Sequence, residues 1–450
     1  MLKNLTISAL LLFSATAGLA QGESTLYKTI KENYETKADS MVNAFIESFM
    51  IKNKGVFNDK YQQYAFNAYW TQAHAMDVIV YCYERHKDNN RALANKYKNY
   101  MSLWYSNKAN NYAGASTSDG TYKMFENPFT DDMCWITLTL LHMYEATNIT
   151  KYYTAAKGVF DNYIIKRAKE DEETGGLWLP WNTDAGSGPN ACTQSPATLI
   201  AAKLYQKTNQ EKYLTYAKKL YAYTSKKIVK SDGRVEEPPL TYTQGTFGEA
   251  CRILYHVTDE TNAIKNRYKS FAYTYINYAF TSGRCTNGAN ILRHEGTSGD
   301  QSIFKAVLIP YAVNFVLDTD MSTTNRKAIA EYIQKNTRTL YGNLNWDRYP
   351  IVFCNFDWTK PWTGTDSDAS MGAMCSGTSL LENTARMQKA IIENYRDYQD
   401  IIEDIPAVDK TANTTGIYSI DGRLIRTPWQ GTEHLPQGMY IVNGRKVFLK

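Results

Sequence analysis

The feature that most constrains this chain is an alternation in the length of its connections. Helical periodicity spans residues 26–397 in twelve segments, near 27–51, 64–87, 90–106, 131–147, 150–168, 194–207, 210–228, 243–257, 260–279, 299–318, 323–339 and 373–397. The links after the second, fourth, sixth, eighth and tenth segments are short: 88–89, 148–149, 208–209, 258–259 and 319–322. Those entering the even-numbered segments are long: 52–63, 107–130, 169–193, 229–242, 280–298 and 340–372. Such a chain folds as helical hairpins with one tight end and one elaborated end.

Internal repetition points the same way. Met143-Tyr144-x-x-Thr147-Asn148-x-x-Lys151-Tyr152-x-Thr154-x-Ala156-Lys157 recurs as Leu204-Tyr205-x-x-Thr208-Asn209-x-x-Lys212-Tyr213-x-Thr215-x-Ala217-Lys218, and a third copy begins Leu254-Tyr255-x-x-Thr258-Asp259. Each copy reads as a tight turn between antiparallel helices, with Asn or Asp at the bend. Six hairpins can form an open solenoid or a closed ring. The uneven long loops and the lack of polar terminal caps favour closure, giving an all-α (α/α)6 barrel with six inner and six outer helices. The long loops and the N-termini of the even helices then share one face.

On that face falls Asn127-Pro128-Phe129-Thr130-Asp131-Asp132-Met133-Cys134-Trp135. A helix starting near Thr130 would use that threonine as its cap and carry both aspartates in its first turn. The helix dipole favours one ionised carboxylate there, and its neighbour then tends to keep a proton. One charged and one protonated carboxyl suit acid–base work on a glycosidic bond. The other long loops add aromatics, amides and carboxylates: Trp178 and Trp181, Asn190, Tyr242 and Gln244, Glu295 and Asp300. Taken singly, each is more often a turn or cap residue; gathered on one face with Trp135, they line a cleft.

Composition removes several alternatives. Of the formal charge of +5, Lys3 supplies one and residues 412–450 supply three, leaving +1 for residues 21–411. A near-neutral body gives no electrostatic reason to expect nucleic acid. The seven cysteines are scattered, no CxxC or HExxH occurs and the six histidines are dispersed, so no metal and no cofactor are expected. Residues 1–20 read as a secretory signal: Lys3, an apolar run Ile7 to Phe13, then Gly18-Leu19-Ala20. No later run is long and apolar enough to span a bilayer, so an exported protein is expected, secreted, at the cell surface or in the periplasm. The helical domain is expected over 21–404, a polar linker over 405–415 and a β-rich module over 416–450. In that module Asp421-Gly422 and Asn443-Gly444 separate short alternating runs.

Phe129-x-Asp131-Asp132-Met133-x-Trp135, Gly175-Gly176-x-Trp178, the two Tyr-x-x-Thr-Asn turns, Tyr242-x-Gln244-Gly245 and Glu295-Gly296…Asp300…Phe304-Lys305 occur in one order. As an ordered set they resemble glycoside hydrolase family 76, secreted endo-α-1,6-mannanases on an (α/α)6 barrel, over residues 30–395. The resemblance implies a retaining mechanism, with Asp131 as nucleophile, Asp132 as acid/base, and mannan as the substrate. The family often shows a second Trp where this chain has Ile136, and an Asn where it has Gln194. The tail from Gly416 looks like the C-terminal sorting modules of type IX secretion, which would make the secretion machinery a partner. Two other readings start from the same residues. One is a different (α/α)6 enzyme, an unsaturated glucuronyl hydrolase or polysaccharide lyase, which would want a basic cleft. The other is a non-catalytic surface glycan-binding protein.

Overall fold

The structure, a computed structural model, describes residues 33–63, 69–111, 125–236 and 238–394, and four strands between 417 and 449. Twelve α-helices occur among the described residues: α1 Glu35–Phe49, α2 Tyr69–His86, α3 Arg91–Asn111, α4 Thr130–Thr147, α5 Thr150–Val159, α6 Ala191–Thr208, α7 Glu211–Tyr223, α8 Thr241–Val257, α9 Asn262–Thr281, α10 Phe304–Leu317, α11 Thr323–Gly342 and α12 Met371–Asn394. They follow the twelve segments read from periodicity. The expected signal at 1–20 and the linker at 405–415 lie outside the described residues. No helix among those described is long and apolar enough to cross a membrane.

Six helices form a closed inner ring. α2 packs on α4, α4 on α6, α6 on α8, α8 on α10, α10 on α12, and α12 returns to α2. The outer helices α3, α5, α7, α9 and α11 each lie against the inner helix before them, and α1 lies against α12. Five hairpins are therefore made by sequence neighbours and the sixth by the two ends of the helical body. Burial follows the layering. α10 is buried without a break from Phe304 to Val313, whereas α7 buries only the stripe Tyr213, Leu214, Ala217, Leu220 and Tyr223.

The tight turns repeat as the sequence does. Asn148 and Asn209 take left-handed conformations with φ of 55° and 52°. Thr147, Thr208 and Thr258 each accept through Oγ1 from the backbone N–H two residues on, at 3.2–3.3 Å. At the other end each inner helix begins where a long loop arrives. Three helices grip their own loop with the glutamine in their fourth position. Gln72 bonds the N–H and carbonyl of Phe57 (2.9 and 2.8 Å). Gln194 bonds the N–H of Leu179 (3.1 Å) and the carbonyl of Leu177 (3.2 Å). Gln244 bonds the N–H of Val235 and the carbonyl of Gly233. The gripped segments are short antiparallel pairs, β1 Met50–Ile51 with β2 Val56–Phe57, β3 Lys169–Asp171 with β4 Gly176–Trp178, and the Val229–Val235 bridge.

A second compact unit includes Tyr395–Lys450. Its described strands, β5 Ile417–Ser419, β6 Leu424–Arg426, β7 Gly438–Val442 and β8 Arg445–Leu449, form one antiparallel sheet in the order β6-β5-β7-β8. β7 and β8 pair from Gly438↔Leu449 to Val442↔Arg445, and the expected turn at Asn443-Gly444 lies outside the described residues.

The ring is joined by a buried ion pair. Arg85 on α2, with its side chain 1% exposed, donates to both oxygens of Glu382 on α12 at 2.7 and 2.8 Å and also to Asp39 on α1. Removing one member of such a pair leaves an uncompensated buried charge. Arg85→Met or Glu382→Leu alone should therefore lower unfolding free energy by about 3–5 kcal/mol in a urea titration, and the double variant should recover most of the loss.

Candidate active site

The loop entering α4 is held from two sides. Phe129 forms an isolated bridge with Asn182, and the Thr130 N–H donates to the Trp181 carbonyl at 2.8 Å. Arg167, beyond α5, donates to the carbonyls of Asn127 and Pro128 (both 2.9 Å) and to Thr130 Oγ1 (3.0 Å). Thr130 is thus the first helical residue and not the cap expected of it. Phe129 occupies the cap position, extended, with no side-chain cap bond. The pairing with Asn182 stretches the chain there, and Arg167 takes up the threonine hydroxyl.

Asp131 and Asp132 fall in the first turn, as the sequence indicates. Asp131 Oδ1 accepts from the Asp132 N–H at 3.0 Å, and Oδ2 accepts from the Cys192 thiol at 3.2 Å. Burial raises the Asp131 carboxyl above its ordinary range, with these donors pulling it back. Asp132 has no such help: burial first, then the charges of Asp131 and Asp300, push it up to about 8. At neutral pH the pair therefore holds a proton, and Asp132 is the member whose surroundings all favour keeping it. Asp300 faces both, with its Oδ1 accepting from the Trp70 indole at 2.9 Å.

Beneath the carboxylates lies a run of aromatic contacts. Trp135 meets His74 edge-on at 5.1 Å and Tyr242 at 5.8 Å; Tyr242 stacks on Phe304 at 4.3 Å, and Phe304 meets Trp70 at 5.8 Å. Trp135 and Tyr242 are buried, so they form a floor. Phe129 and Trp181 are 42% and 37% exposed and stack on each other at 5.7 Å, giving an aromatic platform at the entrance. From Asp300 a cleft of about 590 Å³ continues past Pro239, Arg293, His294 and Glu295.

The remaining expected site residues have structural partners. Asn190 Oδ1 caps α6 by accepting from the Thr193 N–H at 2.8 Å. Glu295 accepts from the N–H and the hydroxyl of Thr241, both at 2.6 Å, and so caps α8 while lining the cleft. Gln244 is fully buried, and its bonds go to its loop and to the Tyr275 carbonyl. The glycine after it lets α8 approach α10, since a Cβ at Gly245 would stand 2.8 Å from Leu308 Cα. Trp178 lies on β4 beneath Lys169, whose Nζ is 4.7 Å from the indole centroid. Phe129, Arg167 and Cys192 also border the aspartate pair, and of these only Phe129 belongs to the Phe-x-Asp-Asp-Met-x-Trp motif.

A second cavity, of about 390 Å³, opens at the C-terminal ends of the inner helices. Its ionic groups are paired with one another, Lys203 with Glu145 at 2.9 Å and Arg252 with Asp318 at 2.7 Å. His256, Asp318 and Asp320 could bring three ligand atoms to one cation, but Asp318 already carries Arg252.

A sequence profile of Glycosyl hydrolase family 76 matches residues 29–394. No curated protein matches the chain. Among solved structures, the chain resembles an α-1,6-mannanase from a Salegentibacter species, an inactive variant with two consecutive aspartates replaced by alanine, in complex with α-1,6-mannotetrose. The two share 23% identity at a TM-score of 0.67 over 79% of this chain and 100% of that one. It also resembles a family 76 mannosidase of Bacteroides thetaiotaomicron, at 18% identity and a TM-score of 0.62 over 81% and 100%. These likenesses carry the (α/α)6 fold.

Gln244→Ala separates a structural role from a binding one. With three buried partners unsatisfied, the variant should lose about 2–3 kcal/mol of stability in thermal or urea unfolding. KM for any substrate should stay within twofold.

Proposed function

Because the chain belongs to glycosyl hydrolase family 76 and is a glycoside hydrolase, we propose that it cleaves α-1,6-mannosidic bonds within mannan backbones, with retention of configuration. The observation that carries this reading is the asymmetric pair: two adjacent carboxyls, one supplied with donors and one held protonated. Asp131 attacks the anomeric carbon and forms a glycosyl-enzyme ester, while Asp132 gives its proton to the departing glycosidic oxygen. Asp132 then takes a proton from water, and the hydroxide so generated releases the sugar with a second inversion. Phe129 and Trp181 offer a stacking surface for a sugar face, and the open cleft beside Asp300 leaves room for more than one unit, as internal cleavage requires. The consecutive aspartates replaced in the inactive Salegentibacter mannanase parallel this pair. Incubation with linear α-1,6-mannan and, separately, with a polyuronate distinguishes this reading from the glucuronyl hydrolase or lyase and from a binding protein. Oligosaccharides from mannan alone are expected.

The two carboxyls should fail differently. Asp131→Asn abolishes turnover of every substrate, since no ester can form. Asp132→Asn loses about 10²–10⁴ in kcat on mannan. It recovers much of this on a dinitrophenyl mannoside, whose leaving group needs no proton, and azide accelerates its turnover. In the unaltered enzyme the acid must be protonated to act. Activity should therefore fall as pH rises through the pair's upper pKa, near 8 in a kcat/KM profile.

We place the enzyme outside the cytoplasm, exported by residues 1–20, and assign the C-terminal sheet to sorting by the type IX secretion machinery. On this reading the sheet takes no part in catalysis, and truncation after Asp404 leaves kcat on soluble mannan within twofold. A tenfold loss would make the sheet part of the working enzyme.

A further inference from the structure

Nothing in the chemistry of two adjacent aspartates says which keeps the proton; the difference lies in what surrounds them. Cys192 is the second residue of α6, and the start of that helix is fixed twice. Asn190 accepts from the Thr193 N–H at 2.8 Å, and Glu236 accepts from the Ala191 N–H at 2.8 Å. So anchored, the thiol donates to Asp131 Oδ2 at 3.2 Å. The Tyr242 hydroxyl interacts electrostatically with the same sulfur. Tyr242 itself is locked by Phe304, stacked at 4.3 Å, and by Trp135 at 5.8 Å. Burial pushes the Cys192 thiol well above its ordinary range, so it stays S–H and serves as a donor. No comparable donor reaches Asp132 among the described residues.

We propose that Cys192, backed by the Tyr242 hydroxyl, is the positioning residue that makes Asp131 the ionised member of the pair and leaves the shared proton on Asp132. The proposal rests on the reading of Asp131 as nucleophile. The S–H···O bond is stronger to the carboxylate than to the protonated acid or the ester, so it favours the ionised form in the free enzyme and again when the ester breaks. Other groups face Asp131 from each side. Asp132 and Cys134 share its helix, Asp300 precedes α10, Tyr242 stands on α8, and Arg167 sits behind at Thr130. Of these, only Cys192 donates to a carboxylate oxygen of Asp131 through a side chain.

The test is the pH profile of kcat/KM on α-1,6-mannan for the full chain and its variants. Cys192→Ala removes the donor. Its acidic limb should rise by about one pH unit, so that kcat/KM falls about tenfold on the acid side of the limb and much less at its plateau, with KM unchanged. Cys192→Ser restores a donor at the same place and should return the acidic limb to within a few tenths of a unit. Tyr242→Phe keeps the ring packing but removes the hydroxyl, and should move the limb in the same direction by less. An acidic limb in Cys192→Ala that overlays the parent's would overturn the proposal, and so would a Cys192→Ser variant as impaired as Cys192→Ala. Should Cys192→Ala fail to fold, an unshifted limb in Tyr242→Phe together with impaired Cys192→Ser has the same force. Asp131→Asn run alongside keeps the two claims apart. If that variant retains activity, the nucleophile itself is misassigned; if it is dead while the Cys192 variants are unshifted, only the role of the thiol falls.

Discussion

The helical body depends on how its two ends meet. Five of the six hairpins are local, made by turns of a few residues. The sixth joins α1 to α12 across more than 300 positions of sequence. Arg85 stands at that seam, bonded to Glu382 on α12 and to Asp39 on α1, while His86 also reaches Asp39 at 2.9 Å. The seam is sealed further by the Tyr34 N–H on Gln388 (3.0 Å) and by Lys389 on the Arg85 carbonyl (2.6 Å). A buried guanidinium is costly without partners, which makes the open ring an unfavourable state and the closed one specific. Apolar packing alone would close the ring as well, but it would fix the register of the last helix less sharply.

Closure matters to function because it sets the direction of six helices at once. Their N-termini share one face, and every loop that arrives there must be fastened to its helix. Gln72, Gln194 and Gln244 do this with one amide each, donating to a loop carbonyl and accepting from a loop N–H. The fourth helical position points back over the arriving strand, so the same residue type serves in three repeats. Where the loop into α4 arrives there is Met133 in that position, and Arg167 supplies the grip from outside. α10 and α12 lack the glutamine as well, with Val307 and Met374 in that position.

Much of this was legible in the sequence. Loop alternation gave the hairpins, and the Thr-Asn repeats gave turns whose asparagines are indeed left-handed. Asp-Asp at a helix start points to the first turn, where both carboxyls lie. The parts that were not legible depend on contacts between distant segments. Gln244 reads like a substrate amide until its partners, the carbonyls of Gly233 and Tyr275, are seen to lie inside. Trp178 reads like a sugar platform, yet its ring faces Lys169 across its own hairpin. Cys192 reads like any small residue in a first turn, because its partner Asp131 is 61 residues away.

Magnitudes decide which effect governs the pair. A helix N-terminus favours an anion by roughly 0.3–1 kcal/mol. Asp132 moves from an ordinary 3.8 to about 8, a difference on the order of 5 kcal/mol between its two protonation states. Burial and the neighbouring charges therefore overwhelm the dipole, and the first turn alone would leave both carboxyls reluctant to ionise. On the proposed mechanism, a nucleophile at neutral pH requires a local donor that only one of the two can reach. The ordered neighbours of Asp131, a backbone N–H on one oxygen and a thiol on the other, provide it, and the bare surroundings of Asp132 withhold it. Two identical side chains, one residue apart, thus meet different surroundings in the closed ring, and the opposite roles proposed for them rest on that difference.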